Sequence, residues 1–343
     1  MLLQKILTLS FLFFPLIGHA HDANYFDNSR EAPALTNIKQ LTFKHMGFEK
    51  AGEGYFSPDS SKIIFQAYPS GKSQYQIFTL DLVTGFVQQV STGEGACTCA
   101  YFHPQGHKVI FASSHEAPQT HELSQCPHTC GYQREDGEYK WAFTPYMNIY
   151  EANLDGSNLK ALTTGPSYHA ECAYSNDGLR IVFASNVDGG MNLYTMASDG
   201  TDLLQITYGS QGYNGGPFFS PDNTHIIFRA DYIRKNYLQI YSINSNGHDL
   251  KQLTNNNAVN WAPYWHPYGK IIAYTTSLHG HEHYEIYLMN IESGVERRLT
   301  HNATFDGLPV FNKEGTKLLW TSQRGSDKSS QLFIADFTLP KDL

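Results

Sequence analysis

The fold is decided by the stretch Phe218-Phe219-Ser220-Pro221-Asp222, followed by Ile226-Ile227-Phe228, then Gln239-Ile240-Tyr241 and finally Leu253-Thr254. An aromatic pair leads into a tight turn, and two apolar runs and a terminal Leu-Thr come after it. Short runs of β-branched and aromatic residues between turn residues are typical of β-strands. The stretch therefore predicts four short strands in succession.

This pattern occurs six times along the chain. Its turn positions are Pro58, Pro104, Asn176, Pro221, Pro267 and Lys313, at intervals of 45 or 46 residues except for one interval of 72. Four strands in a repeat of this length predict one propeller blade. Such a small sheet cannot bury both faces alone, so the copies must stack into a ring. The longer interval places an insertion at about 114–146 in the second copy.

The two ends of the chain indicate how the ring closes. The sixth copy stops without its Leu-Thr strand, and an orphan strand of that type lies at 38–42. We therefore predict an all-β, six-bladed β-propeller of four-stranded antiparallel blades over 37–343. The N-terminal strand would complete the last blade and cover its open edge. A β-sandwich is the alternative, but it does not predict six copies of one register.

The first twenty residues have the features of an export signal. Lys5 supplies a positive charge, residues 6–17 form an apolar run, and Gly18 and Ala20 are small residues suited to a cleavage site. We expect cleavage near Ala20, a polar lead over 21–36, and a periplasmic or secreted product. The apolar run is too short to predict a membrane span. The net charge of −8 disfavours nucleic acid as a partner.

The repeats resemble the TolB-like family, also described as WD40-like (PD40) β-propeller repeats. The resemblance rests on the Ser-Pro-Asp turn, the Ile-Ile-Phe strand after it, the Ile-Tyr strand and the final Leu-Thr, and it covers essentially the whole expected mature chain. It implies an exported propeller, in a family that includes periplasmic TolB and propellers attached to peptidases. The short lead is expected to leave no room for TolB's extra N-terminal domain, which disfavours a Tol-Pal role. The sequence also lacks a Gly-x-Ser-x-Gly motif.

Candidate functional residues fall at one end of the ring, where the second-to-third-strand loops and the blade crossings meet. The positions just before the six inner strands are Ala51, Cys97, His169, Asn214, Asn260 and Asp306. Two positions further on, the residues are Glu53, Cys99, Glu171, Gly216, Ala262 and Leu308. Because strand side chains alternate, His169 and Glu171 are expected on the same side of one strand.

From these sets we predict ligand contacts by His169, Glu171, Asn214, Asn260 and Asp306 at the channel mouth. His169, Glu171 and Asp306 are the candidates for acid–base or metal chemistry. The alternative is that the polar residues hydrogen-bond the crossing loops and that His169 and Glu171 form a structural pair. Both interpretations remain open from the sequence.

The cysteines and a histidine-rich segment offer further candidates. The five cysteines are Cys97, Cys99, Cys126, Cys130 and Cys172. An oxidising compartment favours disulfides, so we expect Cys126 or Cys130 to bridge to the Cys97/Cys99 strand, and Cys172 could join Cys97 or Cys99. Zinc bound by Cys126, His128, Cys130 and that strand is the alternative. His279, His281 and His283 would share a strand face as weak metal candidates, unless they form a solvated loop tip.

Three functional hypotheses follow. The leading one is a monomeric binding module that docks a peptide, a protein partner or a glycan at the channel mouth, without a cofactor. The second is a metal-dependent hydrolase or polysaccharide lyase, which would use a divalent metal with His169, Glu171 and Asp306. The third is a structural or assembly protein of the cell envelope, whose mouth is plugged by its own side chains.

Overall fold

The computed structural model describes residues 29–118, 132–135, 138–141, 143–209 and 212–343, with backbone only for 132–135 and 138–141. Six four-stranded antiparallel sheets follow one another along the chain, which confirms the six-bladed propeller. The expected export signal lies outside the described residues. None of the helices in the described part of the chain has the length and apolar character needed to cross a membrane.

The strands have the following bounds. The chain enters the fold with β1 (Leu35–Gln40), and a 3₁₀ turn (Lys44–Met46) leads to blade 1. Blade 1 consists of β2 (Phe48–Phe56), β3 (Lys62–Pro69), β4 (Gln76–Asp81) and β5 (Val87–Gln89). Blade 2 consists of β6 (Cys97–Phe102), β7 (Lys108–Ser113), β10 (Asn148–Asn153) and β11 (Lys160–Ala161). Its insertion contains the hairpin of β8 (Tyr132–Glu135) and β9 (Glu138–Trp141).

The other four blades repeat the same order. Blade 3 consists of β12 (His169–Tyr174), β13 (Arg180–Ser185), β14 (Asn192–Ala197) and β15 (Leu204–Gln205). Blade 4 consists of β16 (Asn214–Phe219), β17 (His225–Ala230), β18 (Gln239–Asn244) and β19 (Lys251–Gln252). Blade 5 consists of β20 (Asn260–Trp265), β21 (Ile271–Thr276), β22 (Glu285–Asn290) and β23 (Glu296–Arg298). Blade 6 consists of β24 (Asp306–Phe311), β25 (Lys317–Ser322), β26 (Gln331–Phe337) and β1.

The turn between the first two strands of a blade explains the Ser-Pro-Asp motif. Ser57 Oγ donates to Asp59 Oδ1 at 2.6 Å, and Lys62 N donates to Ser57 Oγ at 2.9 Å. The same two bonds occur at Ser175 and at Ser220. Serine and aspartate at these positions satisfy backbone amides that the turn would otherwise leave unpaired.

The aliphatic–hydroxyl pair at the end of each blade, which is Leu-Thr in four of the six, is an equally local device, and it also closes the ring. In blade 5, Leu299 N donates to Ile286 O at 2.8 Å, and Ile286 N donates to Thr300 Oγ1 at 2.9 Å. In blade 6 the N-terminal segment makes the same two bonds, from Leu41 N to Leu332 O at 2.8 Å and from Leu332 N to Thr42 Oγ1 at 2.9 Å. The predicted closure is thus confirmed bond by bond.

Closure begins earlier in the chain than the sequence predicted. β1 starts at Leu35, not at 38, and Leu35 pairs with Phe337. Leu35 is fully buried in the apolar core shared by blades 5 and 6. Burying a leucine stabilises a fold by about 2 kcal/mol. The segment that we expected to be a polar lead therefore contributes to the core.

Candidate functional site at the mouth of the central channel

Every inner strand contains a β-bulge at the same place. The register of its pairing with the second strand shifts there in all six blades. At each bulge one residue is left-handed, with φ between 49° and 59°, and these residues are Glu53, Cys99, Glu171, Gly216, Ala262 and Leu308. A β-bulge changes the direction in which a side chain points, and bulges are common beside functional sites. Five of the six are not glycine, so the surrounding fold must offset about 1 kcal/mol or more at each.

At four of the six bulges, the freed backbone amide donates to a side chain of the preceding blade. In three junctions a polar side chain on the second strand of that blade accepts it. The pairs are Glu53 N with Thr321 Oγ1 (3.1 Å), Cys99 N with Gln66 Oε1 (3.3 Å) and Leu308 N with Thr275 Oγ1 (3.0 Å). At Gly216 the equivalent position is Ala184, which has no acceptor, and the Glu171 carboxylate accepts the Gly216 amide instead. Glu171 thus provides the hydrogen-bond acceptor that Ala184 lacks.

Two side chains of blade 4 bind the Glu171 carboxylate: the Arg229 cation pairs with it and the Tyr213 phenol donates a hydrogen bond to it. Arg229 Nη2 donates to Glu171 Oε1 at 2.6 Å, and Tyr213 OH donates to the same oxygen at 2.8 Å. Arg229 also donates to Tyr213 OH at 2.7 Å. The ion pair is largely buried, with side chains 15% and 8% exposed. A buried pair with this many hydrogen bonds is rigid, so it fixes the shape of the mouth.

Glu53 is the other carboxyl in the bulge ring, and it has no ion-pair partner among the described residues. Its side-chain hydrogen-bond partners are the Tyr55 hydroxyl, at 3.3 Å from Oε1, and the Cys99 thiol. Burial raises the pKa of Glu53 to about 7, and the negative charge of Glu171 acts in the same direction. Glu53 is therefore the uncompensated acid of the mouth.

Aromatic side chains close the channel two residues further along the inner strands. Tyr55, Tyr101, Phe218 and Tyr264 come from four different blades. Ring centroids lie 5.0 Å apart for Tyr55 and Tyr101, and also 5.0 Å apart for Phe218 and Tyr264. The Tyr101 and Tyr264 hydroxyls are 3.0 Å apart. These four side chains together form an aromatic floor across the channel below the bulge ring.

Three of the predicted ligand residues are buried, and their side chains make hydrogen bonds within the protein. Asp306 and Asn260 are fully buried, and Asn214 is 2% exposed. The Trp320 indole donates to Asp306 at 3.0 Å. Asn260 Nδ2 donates to Gln239 at 3.0 Å. Asn214 Nδ2 donates to the Met191 carbonyl at 2.9 Å, and the Tyr232 hydroxyl donates to Asn214 Oδ1. This geometry favours the alternative in which these residues hold strands and blade crossings together.

The structure does not bring His169 and Glu171 together as a pair. His169 Nδ1 lies 2.9 Å from Ser185 Oγ, within its own blade, whereas Glu171 reaches into blade 4. We expected the two side chains on one side because strand residues alternate, but the bulge at Glu171 breaks that alternation. Burial lowers the pKa of His169 to about 4. Asp306 pairs with Arg324, so the proposed catalytic trio does not converge.

The described cysteines are free thiols. Cys97, Cys99 and Cys172 are all buried and unbridged, and Cys172 Sγ faces the Cys99 carbonyl at 3.4 Å. The expected bridges to the Cys97/Cys99 strand are therefore not formed in this structure. Cys126, His128 and Cys130 lie outside the described residues, and a zinc site or a bridge between them stays a prediction.

The histidine segment does not lie on a strand. His279, His281 and His283 occupy the exposed loop between β21 and β22, which supports the solvated-tip alternative. His279 Nε2 is 2.9 Å from the Tyr287 hydroxyl, and His281 Nδ1 is 3.1 Å from the Tyr284 hydroxyl. Over the described ranges, no three His, Cys, Asp or Glu side chains come together in the way a metal site requires.

Aromatic side chains surround the mouth. Phe143, at the end of the insertion, stacks on Tyr213 with centroids 6.1 Å apart. Trp261 lies against Tyr284 and Phe305, at 6.2 and 6.3 Å. Aromatic residues are enriched in binding surfaces because they bury large areas at low entropic cost. The insertion thus reaches the rim of the mouth, as its position in the sequence suggested.

Sequence reasoning missed Arg229, although a signal for it was present. In the other blades the equivalent position, after the aromatic residue of the second strand, is Gln66, Ala112, Ala184, Thr275 or Thr321. A full positive charge in such a buried strand requires a buried partner. That requirement alone pointed to an acid on a neighbouring inner strand, and Glu171 is that acid.

The described fold and site can be compared with known proteins. No protein-family model matches the chain. A protein TolB homolog of Chlorobium luteolum is 30% identical over 159 residues, which span 46% of this chain and 34% of that protein. The Tol-Pal system protein TolB of Francisella tularensis is 29% identical over 226 residues, which span 65% of this chain and 44% of that protein. The chain thus matches less than half the length of these relatives.

Solved structures agree with this relationship. A putative TolB from Agrobacterium tumefaciens has a TM-score of 0.58 at 18% identity, covering 84% of this chain and 91% of that one. An oligogalacturonate lyase from Vibrio parahaemolyticus has a TM-score of 0.54 at 13% identity, covering 89% and 94%. Identities this low show the fold alone. The chain is therefore similar to TolB proteins over part of its length, and it shares the β-propeller fold of a solved TolB structure. The narrower PD40 assignment stays a prediction.

Proposed function

We propose that this TolB-like propeller is an exported binding module that docks a peptide segment of an envelope protein on the mouth end of the ring. The single observation that carries the proposal is the set of aromatic side chains at this end of the ring, some across the channel and others around its mouth. Apolar and aromatic side chains with a few fixed polar groups are the usual lining of a binding site. The envelope setting is supported by relatives that include TolB of the Tol-Pal system.

The composition of the mouth supports a peptide as the occupant. The rim residues Trp261 and Phe305 are partly exposed and already pack against each other, so little side-chain entropy is lost on binding. The Glu171–Arg229 pair supplies a fixed polar feature at the same end of the ring. Binding hot spots are enriched in large aromatic residues and in arginine.

The proposal is tested by selecting displayed random peptides on the purified chain and measuring their affinity calorimetrically. Trp261→Ala should weaken the selected peptides about tenfold or more, which corresponds to about 1.4 kcal/mol. Tyr268→Ala is the matched control, because Tyr268 is a 73% exposed aromatic beyond β20, at the opposite end of the ring.

Two results would contradict the proposal. Peptides that bind Trp261→Ala as tightly as the parent chain would place the site elsewhere. A glycan that binds with Trp261 dependence, where no peptide can be selected, would overturn the peptide assignment.

A further inference from the structure

The bulge ring is chemically divided into two halves. Blades 1, 2 and 3 contribute Glu53, Cys99 and Glu171, whereas blades 4, 5 and 6 contribute Gly216, Ala262 and Leu308. Among the bulge residues themselves, one half of the ring is acidic and polar and the other half is small and apolar, with the Arg229 guanidinium lying against Gly216. A group bound at the centre of the ring would meet both sides at once.

Glu53 faces a small central cavity across this division. The cavity measures about 10 Å³, and Tyr55, Ala262, Tyr264 and Leu308 are among the other residues that line it. That space is about what a single water molecule requires. Glu53 is the charged residue in this lining, so whatever fills the cavity must contact a carboxyl and an apolar wall.

The charges around Glu53 leave an unbalanced acid. The groups that face it are Glu171, Arg229, the Cys99 thiol and the Tyr55 hydroxyl. Arg229 pairs directly with Glu171 at 2.6 Å and also lowers the pKa of Glu53, but it is one cation for two carboxyls. A buried carboxylate without a partner is costly, and an added cation would relieve that cost.

We propose that the mouth binds a primary ammonium group against Glu53, as the lysine side chain of a docked peptide would supply. An ammonium is a compact charge of water-like size, whereas a guanidinium is broad and planar. The methylene stem of the amine would lie along Ala262 and Leu308. This inference rests on the proposed function, because it names the group that the docked peptide inserts.

The experiment follows the Glu53 carboxyl directly, by carbon NMR of protein labelled at the glutamate side-chain carboxyl. The Glu53 resonance is identified by its absence from Glu53→Gln. The probe is n-butylammonium chloride, a mimic of the lysine side chain, and glycinamide serves as a mimic of a peptide α-amine. Sodium chloride, butanol and n-propylguanidinium are the controls.

Butylammonium should shift the Glu53 resonance and move its titration midpoint down by about 1 pH unit, because a nearby opposite charge favours the ionised acid. The controls should leave both unchanged, and Glu53→Gln should lose the response. A response to glycinamide but not to butylammonium would overturn the lysine assignment, and equal responses to butylammonium and sodium chloride would overturn the site. If Trp261-dependent peptides are selected without any preference for lysine, the proposed function stands and this inference fails.

Discussion

One left-handed residue in each inner strand sets what the mouth presents. The repeat conserves the backbone geometry of the bulge in all six blades, but it lets the side chain vary from Gly216 to Glu53. Where the neighbouring blade lacks an acceptor, as at Ala184, the acid of the bulge takes that structural task. Glu171 therefore has a structural role, whereas Glu53 is the bulge carboxyl that we propose contacts a ligand.

Loss of the cation beside Glu171 should be strongly destabilising. Arg229→Met would leave a buried carboxylate unpaired, which costs about 3 kcal/mol or more. The double variant Arg229→Met/Glu171→Gln should recover a large part of that loss, because no charge is stranded. Urea unfolding of both variants measures the difference. Equal stability of the single variant and the parent would contradict the buried pair.

His169 should make the protein sensitive to acid. Its folded pKa of about 4 lies below the ordinary value of 6.5, so the unfolded chain takes up a proton first as the pH falls. Stability should fall between about pH 6.5 and 4, by about 3 kcal/mol from this residue. The free energy of unfolding, measured by urea titration at pH 7 and at pH 4.5, should therefore fall less in His169→Gln than in the parent chain. An equal fall in the two proteins would show that His169 is not buried neutral.

At this scale the sequence predicted the positions but not their roles. Asn214, Asn260 and Asp306 were rightly aligned at one end of the ring, yet alignment does not reveal that neighbouring blades cover them. The predicted alternation of His169 and Glu171 failed because a left-handed non-glycine residue leaves no mark in the sequence. Only tertiary packing imposes that conformation.

At the scale of elements, the ring depends on the strand that closes it. The hydrogen bonds of β1 reproduce those of a covalently continuous blade, and a buried ionic cluster lies beside them. Arg324 bonds Glu31 at 3.0 Å and Asp306 at 2.7 Å, with all three side chains 6% exposed or less. The cluster joins the N-terminal segment to the inner strand of blade 6. The sequence analysis did not predict this ionic cluster, because it interpreted residues 21–36 as a polar lead.

Breaking this cluster should open the ring at β1. Arg324→Met would leave Glu31 and Asp306 as buried acids, at a cost of about 3–5 kcal/mol. The amides of β1 should then exchange with deuterium much faster than those of other outer strands. Arg180→Met is the matched control, since its partner Asp202 is 74% exposed and such pairs contribute less than about 1 kcal/mol. Unchanged exchange in β1 would disprove the latching role.

The elements themselves were largely predictable, and for a local reason. The Ser-x-Asp turn and the Leu-Thr strand end are each held by bonds within a few residues or across one strand pair, so their sequence marks are visible. The predicted insertion, at about 114–146, falls between β7, which ends at Ser113, and β10, which begins at Asn148. What the insertion covers depends on contacts such as Phe143 with Tyr213, which no local pattern encodes.

At the scale of the whole molecule, the ring encloses its thiols. Cys97, Cys99 and Cys172 lie in the inner strands of blades 2 and 3, where neighbouring blades and the channel residues cover them. Burial raises the pKa of Cys97 to about 11 and also raises those of Cys99 and Cys172. Thiolates are the reactive species, so these groups are protected both by access and by protonation.

These three thiols should therefore report on opening of the ring. In a Cys126→Ser/Cys130→Ser variant, we expect almost no reaction with a thiol reagent at pH 8 and three reactive groups after unfolding in guanidinium. Because a ring of stacked blades exposes its inner strands only when blades separate, the rate without denaturant should follow global unfolding. Arg324→Met in the same background should accelerate all three together. A disulfide among them, or one thiol that reacts alone in the folded protein, would show that the inner strands of blades 2 and 3 are not sealed by the ring.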